Sequence, residues 1–278
     1  MQIARTVREL HDWLDGRRGA FVPTMGALHE GHLALIRHAD SLGEPVVVSI
    51  FVNPAQFGPN EDFGRYPRTL EADLAACQKI GADLVFAPPA EEMNPPGEPP
   101  TEIALPPVAT EPGLEDAHRP GHFRGVCQVV ARLFDLVEPA VAIFGEKDYQ
   151  QWLVIRAMVE REQPRWRGLT VTGLPTVRDP DGLALSSRNR YLDPEKRDRA
   201  LGLVRALQAA HAAQKPDTAE AIMIETLGAH DLAIDYAVVR DSETLMPVGD
   251  FSRPTRGLIA ARLDDVRLID NRAMTVWT

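Results

Sequence analysis

The stretch FVPTMGALHEGH, residues 21–32, places two glycines and two histidines directly after a short apolar run. The apolar residues predict the end of a strand, and apolar side chains at helical spacing follow from Gly31 onwards. A strand that turns into a helix through glycines presents unpaired backbone N–H groups, which is typical of an anion site. The stretch therefore predicts an α/β fold with a ligand at this turn.

Four further apolar runs repeat the alternation of strand and helix over the first 175 residues. The run PVVVSIFV (45–52) is nearly continuous Val and Ile, which is typical of a parallel strand covered on both faces. Strands separated by helices predict right-handed crossovers and a Rossmann-like, doubly wound parallel sheet. Ligands of such sheets bind beyond the carboxyl ends of the strands. The other three runs are DLVFAP (83–88), PAVAIFG (139–145) and GLTVTGLP (168–175).

A change of composition near residue 175 predicts a domain boundary, with a Rossmann-like catalytic domain at 1–175 and a smaller α+β domain at 176–278. The second domain opens with a polar, turn-rich stretch. Asp193 and Pro194 then provide an N-cap and first-turn proline for a helix running to about residue 214. A second helix at about 217–229 and the strands LAIDYAVVR and RGLIAARL complete the expectation.

The segment PPAEEMNPPGEPP (88–100) contains six prolines and interrupts this order. Proline is excluded from helix interiors and from central strands, so neither is expected here. An ordered excursion over the surface is the first interpretation, and a flexible linker is the second.

Composition limits the class of protein. The chain has 278 residues, 44% of them hydrophobic, and no run approaches the roughly 18 apolar residues of a membrane span. The start, MQIARTVREL, lacks the apolar region of a signal peptide, so we expect a soluble, cytoplasmic protein. A formal net charge of -10 disfavours a nucleic-acid surface. Cys77 and Cys127 match no metal or redox spacing, which favours two buried thiols.

His29 and His32 have three possible roles at the opening turn. His29 can lie in the turn while His32 caps the helix, which is a purely structural role. Together with Gly26 and Gly31, the two imidazoles can instead donate hydrogen bonds to phosphate oxygens. A zinc site is the weakest option because no further ligands follow at a recognisable spacing.

Three other clusters carry polar side chains that suit a ligand. In FVNPAQFG (51–58), the amides of Asn53 and Gln56 either read a hydroxyl and a carboxylate or simply start a turn. In FGEKDYQQ (144–151), Lys147 can reach a phosphate and Asp148 can cap a helix or help to hold a metal, although GEKD is also an ordinary solvated turn. The third cluster, LALSSRNRYL (183–192), has the two hydroxyls and the guanidinium of a phosphate clamp.

Together these clusters closely resemble the signature blocks of the pantothenate synthetase family of pantoate/β-alanine ligases. The similar blocks occur in the family's order, and RLIDN (267–271) follows near the end. The pair His29-x-x-His32 also resembles the HIGH-type signature of the nucleotidyltransferase superfamily. The blocks are PTMGALHEGH, SIFVNPAQF, YPRT, RPGHFRGV, FGEKDYQQ and DGLALSSRNRYL.

The resemblance implies a two-step reaction with ATP as co-substrate and Mg²⁺ as its cation. The carboxylate of (R)-pantoate attacks the α-phosphate of ATP, giving pantoyl adenylate and pyrophosphate. The amine of β-alanine then attacks the acyl carbon and releases pantothenate and AMP. In-line displacement at phosphorus leaves the protein mainly positioning and charge stabilisation to supply.

The resemblance also implies roles for individual residues. His32 would be the proton donor, with His29, Lys147 and Arg188 as the other catalytic groups. Pantoate would contact Gln56, Gln151, Asn53 and Arg124; β-alanine would contact Gln56; and Asp73 would be a Mg²⁺ ligand. The expected ATP site comprises Met25, Gly26, Ala27, Leu28, His29, Glu30, Gly31, His32, Gly145, Glu146, Lys147, Asp148, Val177, Leu185, Ser186, Ser187 and Arg188.

Three expectations concern the surroundings of this site. The loop 58–66 is a candidate lid, because acyl adenylates hydrolyse unless water is excluded. The small C-terminal domain is expected to cover the site, and the protein to form a homodimer. Two rival functions remain: a nucleotidyltransferase that leaves AMP on its product, and a nucleotide-binding protein without catalysis.

Overall fold

The structure is a computed structural model that describes residues 1–59 and 61–274. Its strands are β1 (Gln2–Ala4), β2 (Ala20–Thr24), β3 (Val46–Ile50), β4 (Leu84–Phe86), β5 (Val141–Gly145), β6 (Thr170–Leu174), β7 (Ala233–Asp241), β8 (Thr255–Leu263) and β9 (Val266–Ala273). Its helices are α1 (Val7–Leu14), α2 (Glu30–Ser41), α3 (Leu70–Ile80), α4 (Ala90–Met93), α5 (Glu115–His118), α6 (His122–Val137), α7 (Tyr149–Arg161), α8 (Pro194–Ala200), α9 (Gly202–Ala210) and α10 (Pro216–Ala229). Short 3-10 helices include Pro54–Gln56, Glu146–Asp148 and Ser187–Tyr191.

The contacts within the chain divide it into two compact units. The first unit comprises Met1–Thr110, Glu115–Glu146 and Gln151–Pro175. The second comprises Glu111–Leu114, Lys147–Gln150 and Thr176–Thr278. The block FGEKDYQQ is therefore divided between the two units.

The first unit is built on a six-stranded parallel sheet in the order β1-β4-β3-β2-β5-β6. From β2 the chain proceeds through β3 and β4 on one side and then through β5 and β6 on the other, so the order switches between β2 and β5. The predicted fold class is confirmed, and all five strands predicted for this unit are present. The prediction missed β1, because three residues are too short for a periodic signal.

The switch between β2 and β5 sets the position of the turn at 25–32. Its strand β2 is almost fully buried, and β3 pairs with it over the whole length of both strands. Because the strands are parallel, the loops that follow β2 and β3 leave the sheet at the same edge. Ile36 and Ala39 on α2 pack with the buried valines of β3 and fix that helix on one face of the sheet.

The second unit contains a three-stranded antiparallel sheet, β7-β8-β9, packed with α9 and α10 around a separate apolar core. The sequence predicted β7 and β8 but not β9. It also predicted one helix running to about residue 214, which is wrong: α8 ends at Ala200, α9 begins at Gly202 and ends at Ala210. A Cβ atom on Gly202 would lie 2.8 Å from the His230 side chain, so glycine permits this close approach at the start of α9.

The proline-rich segment corrects a second expectation, because residues Ala90–Met93 form a short helix. Pro89 precedes the helix in an extended conformation, and proline is tolerated there. Glu92 accepts a hydrogen bond from the Val7 backbone N–H at 2.7 Å, and Met93 is buried. This part of the segment is therefore ordered by contacts to the rest of the first unit.

Two further expectations concern the cysteines and the membrane. Cys77 and Cys127 are free and buried, and burial raises the pKa of these thiols to about 11 and about 12. The described residues include no helix with the length and apolar character needed to cross a membrane.

Candidate active site

The turn after β2 is held open by a buried carboxylate. Gly26 and Ala27 have φ angles of 75° and 50°, so two successive residues lie in the left-handed region. This conformation turns the N–H groups of Ala27 and Leu28 onto the two carboxylate oxygens of Asp73, at 2.9 and 2.8 Å. A side chain at position 26 would meet Asp73 at 2.9 Å, which explains why glycine stands there.

Asp73, the predicted magnesium ligand, already accepts hydrogen bonds at both carboxylate oxygens. Its side chain is buried, and each oxygen accepts one backbone N–H and lies within hydrogen-bond distance of the Thr69 hydroxyl. A metal ion would have to compete with these donors, so the arrangement argues against metal ligation by Asp73. Among the described residues, no group of three or more His, Cys, Asp or Glu side chains is placed to hold a metal ion.

His29 and His32 form a reciprocal capping box at the start of α2. His29 is the N-cap, and its Nδ1 accepts from the Gly31 N–H at 3.2 Å. His32 Nδ1 accepts in turn from the His29 N–H at 3.3 Å. A neutral imidazole that accepts at Nδ1 carries its proton on Nε2, so both rings have Nε2–H as their donor. The ring centroids lie 4.1 Å apart, which puts the two imidazoles side by side.

The capping role and the ligand role of the two histidines are therefore compatible. The structural alternative assigned the helix cap to His32, which is wrong, because His29 is the N-cap and His32 lies at position N3 of the capping box. The caps use only the Nδ1 atoms and fix both ring orientations. Glu30 points away from this pair to an exposed ion pair with Arg37.

The loop after β3 meets the turn through Gln56. The Gln56 side-chain amide lies 2.7 Å from the Met25 sulfur, which joins the second predicted cluster to the first. Asn53 is buried and caps the Pro54–Gln56 helix by accepting from the Ala55 N–H at 3.2 Å. Its amide nitrogen donates to the Gly125 carbonyl at 3.0 Å. Asn53 thus supports Gln56 and has little surface left for pantoate.

Helix α6 approaches this loop at a single glycine. A Cβ atom on Gly125 would lie 2.2 Å from the Ala55 carbonyl oxygen and 2.7 Å from the Gln56 nitrogen. Both atoms belong to the backbone, so a larger residue would displace the loop. The glycine of the RPGHFRGV block therefore permits the contact that positions Gln56.

The same block supplies two buried groups that sequence reasoning missed. His122 Nδ1 donates to the Gln56 carbonyl at 2.8 Å, and its Nε2 accepts from Arg119 at 2.9 Å. Arg119 forms a bidentate ion pair with Glu61, with both distances at 2.7 Å, and also lies 3.4 Å from the Gln56 carbonyl. The order of donors fixes the tautomer, because arginine can only donate.

Burial and the neighbouring charge keep His122 neutral. Desolvation, followed by the positive charge of Arg119, lowers the pKa of His122 to about 4. Burial alone would raise the pKa of Glu61, but the hydrogen bonds and charge of Arg119 outweigh it and hold that pKa below its ordinary value. At neutral pH the network therefore consists of a neutral His122 imidazole beside the Arg119–Glu61 ion pair.

Three further predictions for the first unit concern Arg124, Gln151 and the candidate lid. Arg124 is exposed on α6, and its side chain makes no hydrogen bond or ion pair within the described part of the chain. Gln151 is half-buried in the first turn of α7. The candidate lid 58–66 includes Asn60, which lies outside the described residues. Within that loop, Phe63 packs against Phe57.

In the second unit, the loop before SSRN is closed by backbone pairing. The Leu185 N–H donates to the Val177 carbonyl at 3.0 Å. Ser186 then caps the helix Ser187–Tyr191, its hydroxyl oxygen accepting from the Arg188 N–H at 3.2 Å. The hydroxyl hydrogen of Ser186 is not used in this cap and can serve a further acceptor.

The GEKD turn contributes one cation and one anion to the second unit. Lys147 is largely buried and its ammonium lies 3.7 Å from the Asp148 carboxylate, which is exposed. The Lys147 carbonyl accepts from Asn271 at 2.9 Å. Gly145 and Glu146, which precede it, are half-buried residues of the first unit.

Comparison with known proteins gives one consistent result. A family model described as pantoate-beta-alanine ligase matches residues 2–273. The pantothenate synthetase of Thermus thermophilus is 50% identical over 277 residues, which cover 98% of each chain. That of Myxococcus xanthus (strain DK1622) is 48% identical over 281 residues, which cover 97% of this chain and 94% of the relative.

Solved structures agree with the sequence relatives. A crystal structure of pantothenate synthetase from Thermus thermophilus is similar to this chain with a TM-score of 0.93, at 48% identity and with 99% of each chain covered. A pantoate-beta-alanine ligase from Francisella tularensis, complexed with beta-gamma ATP and beta-alanine, has a TM-score of 0.81 at 31% identity, with 99% and 98% of the chains covered.

Proposed function

The chain belongs to the pantoate-beta-alanine ligase family, and from this premise we propose that it condenses pantoate with β-alanine at the expense of ATP. The products are pantothenate, AMP and diphosphate, and pantoyl adenylate is the intermediate. The observation that carries the proposal is the turn at 25–32 at the switch point of the sheet, where two imidazoles lie side by side and Met25 contacts the Gln56 amide. These are the groups that a carboxylate and a triphosphate require.

In the first step, a pantoate carboxylate oxygen forms a bond to the α-phosphorus as the bond between that phosphorus and the bridging oxygen of pyrophosphate breaks. Negative charge grows on the departing oxygen. His32 is the proposed donor to it through Nε2–H, with His29 Nε2–H beside it on the phosphates. The capping box supports these roles, because it fixes the proton on Nε2 before the substrate arrives.

Gln56 is the proposed contact for both pantoate and β-alanine. Its backbone is fixed by His122 and Arg119. Its side-chain nitrogen contacts the weak acceptor sulfur of Met25, and its side-chain oxygen lies 3.4 Å from the Asn53 amide nitrogen. A substrate oxygen can replace that sulfur at small energetic cost. Gln151 and Arg124 are further proposed pantoate contacts, which rest on the family resemblance.

Phosphate binding by the second unit is likewise a proposal. Lys147, Ser187 and Arg188 are proposed to hold the β- and γ-phosphates, and Val177 to contact adenine through its backbone. The cap geometry supports Ser186, whose hydroxyl keeps its hydrogen for an acceptor. An ammonium, two hydroxyls and a guanidinium can all donate hydrogen bonds to the oxygens of the departing pyrophosphate.

Mg²⁺ is proposed to enter with ATP as part of the substrate complex. The described residues provide no resident cluster of ligands, and Asp73 is occupied by backbone donors. Magnesium bound chiefly through substrate phosphates needs only one or two protein carboxylates, or none. The protein is further proposed to be cytoplasmic, with a domain boundary near residue 175. It is also proposed to form a homodimer, which sedimentation equilibrium tests.

The experiment that tests this function is the exchange of radiolabelled pyrophosphate into ATP without β-alanine. We expect exchange that depends on pantoate, because adenylation is reversible while the amine is absent. The matched control replaces pantoate with β-alanine and should give background counts. Exchange without pantoate, or none with it, would contradict the proposal.

Product analysis separates the rival functions. An adenylyltransferase would leave AMP on its final product, whereas the proposed ligase releases free AMP in a 1:1 ratio with pantothenate once β-alanine is added. A non-catalytic nucleotide-binding protein would bind ATP and form neither product.

A further inference from the structure

The RLIDN block near the end of the chain contains two buried polar residues whose function the proposed reaction does not explain. Asp270 and Asn271 lie on β9 and are 2% and 4% exposed. Buried polar groups in folded proteins are almost always hydrogen-bonded, so their partners show what they support. Both sets of partners lead to the residues proposed to bind ATP.

Asn271 connects β9 to the GEKD turn. Its amide nitrogen donates to the Lys147 carbonyl at 2.9 Å, and its amide oxygen accepts from Arg256 at 2.7 Å. The Arg256 guanidinium lies 3.7 Å from the centre of the Tyr149 ring, and the Tyr149 hydroxyl donates to the Ser242 carbonyl at 3.0 Å. The backbone on both sides of Asp148 is therefore anchored within the second unit.

Asp270 connects the same strand to the loop that contains Val177. Its carboxylate forms a bidentate pair with Arg178 at 2.7 and 2.8 Å. Arg178 also donates to the Gly182 carbonyl at 3.1 Å, which closes the loop from inside. The hydrogen bonds that Arg178 donates to Asp270 raise the pKa of Arg178 above its ordinary value.

We propose that Asn271 and Asp270 are positioning residues for ATP: Asn271 fixes the backbone of Lys147, and Asp270 fixes the loop of Val177 through Arg178. The inference rests on the proposed function, because it gives both residues their effect through groups assigned to ATP. It also explains why a signature block far along the chain belongs with the others. The competing explanation is that both residues only stabilise β9.

A double-mutant cycle between Asn271 and Lys147 distinguishes the two explanations. Asn271→Asp keeps an acceptor for Arg256 but loses the donor to the Lys147 carbonyl. If Asn271 acts through Lys147, its replacement should weaken binding of a non-hydrolysable ATP analogue about tenfold in the wild-type background and less than about twofold in Lys147→Ala. Equal losses in both backgrounds would overturn the proposal.

The control variant is Asp235→Asn. Asp235 accepts from Arg262 on β8 and from Arg267 on β9, so the change also removes ion pairs between strands of this sheet, but none that involves Lys147. We expect it to lower the melting temperature without changing affinity for the ATP analogue. An affinity loss equal to that of Asn271→Asp would assign the effect to sheet stability.

Two measurements keep the outcomes separate. Calorimetric binding of the ATP analogue tests the positioning role even if the chain performs another adenylation, whereas pantoate-dependent pyrophosphate exchange tests the proposed reaction.

If Asn271→Asp does not fold, the same double-mutant cycle can be measured with Asn271→Ser, because serine is too short to reach the Lys147 carbonyl. Unchanged affinity in a folded Asn271→Ser variant would also overturn the proposal.

Discussion

The turn at 25–32 and the loop at 177–188 are both proposed to contact ATP, but different interactions hold them. The first turn has a left-handed backbone at Gly26 and Ala27 and is held by backbone N–H groups on the buried Asp73 carboxylate. In the second loop, Asp179 and Asp181 are held by ion pairs with Arg197 that are partly open to water. Buried hydrogen bonds to a charge are costly to lose, whereas exposed ion pairs contribute little. The first turn should therefore be far less tolerant of substitution.

The largest effect is expected for His32. Because His32→Ala removes the proposed hydrogen-bond donor to the leaving pyrophosphate, pantoate-dependent pyrophosphate exchange should fall roughly 10²–10³-fold. His32→Gln is the matched control for folding, since glutamine at this position of a capping box can accept the His29 N–H. Both variants should lose exchange, but only His32→Ala should lose helix-cap stability. Near-normal exchange in either variant would remove His32 from the chemistry.

The next effect tests the carboxylate that holds the first turn. Asp73→Ala leaves two buried backbone donors without an acceptor, at about 1–3 kcal/mol each. Asp73→Asn keeps one acceptor and should lose about half as much in urea unfolding. If magnesium ligation were instead the function of Asp73, excess Mg²⁺ would restore exchange in Asp73→Asn, which we do not expect.

The third prediction concerns the loss of folding stability at acid pH that the buried imidazole of His122 causes. The pKa of His122 is about 4 in the fold against 6.5 when exposed, so between these values the unfolded chain binds the proton and the folded chain does not. Stability is therefore full above pH 6.5 and falls as pH drops towards 4, by at most about 3 kcal/mol. The pKa of Glu61 is also lowered in the fold, so the loss of folding stability continues as the pH falls below the ordinary pKa of a glutamate.

The measurement is the free energy of unfolding in urea at several values of pH between 7 and 4. His122→Gln retains a donor for the Gln56 carbonyl but does not titrate. The variant should be less stable than the wild type at pH 7 and should show a shallower loss between pH 6.5 and 4. Parallel curves for the two proteins would show that another group causes the acid loss.

Sequence reasoning succeeded where the signal is local. Continuous Val and Ile predicted β3, which is present. The histidine pair was singled out because both members lie in one turn. Local spacing could not, however, reveal that their Nδ1 atoms cap the helix reciprocally, since histidine is an unusual residue for that role.

The missed features depend on contacts between distant parts of the chain. Asp73 reaches the turn across 46 residues, and Asn271 reaches Lys147 across 124. In the block RPGHFRGV, the sequence singled out Arg124, although Arg119 and His122 are the buried residues that touch Gln56. A helical pattern alone does not show which polar side chain faces the loop. Only the tertiary packing of the chain shows which of these polar side chains contact the turn and the loop.

The smallest effect is expected in the second loop and completes the comparison. Asp179 pairs with Arg197 at 2.7 Å, and Asp181 pairs with the same arginine at 2.8 Å, with all three side chains about one-third exposed. Asp179→Asn should therefore cost less than about 1 kcal/mol, because Asp181 still neutralises Arg197 and water screens the pair. The loss should shrink further in 1 M salt, where charges are screened beyond about 3 Å. Urea unfolding at low and high salt measures both effects, and a salt-independent loss as large as that of Asp73→Asn would show that the two loops are held equally firmly.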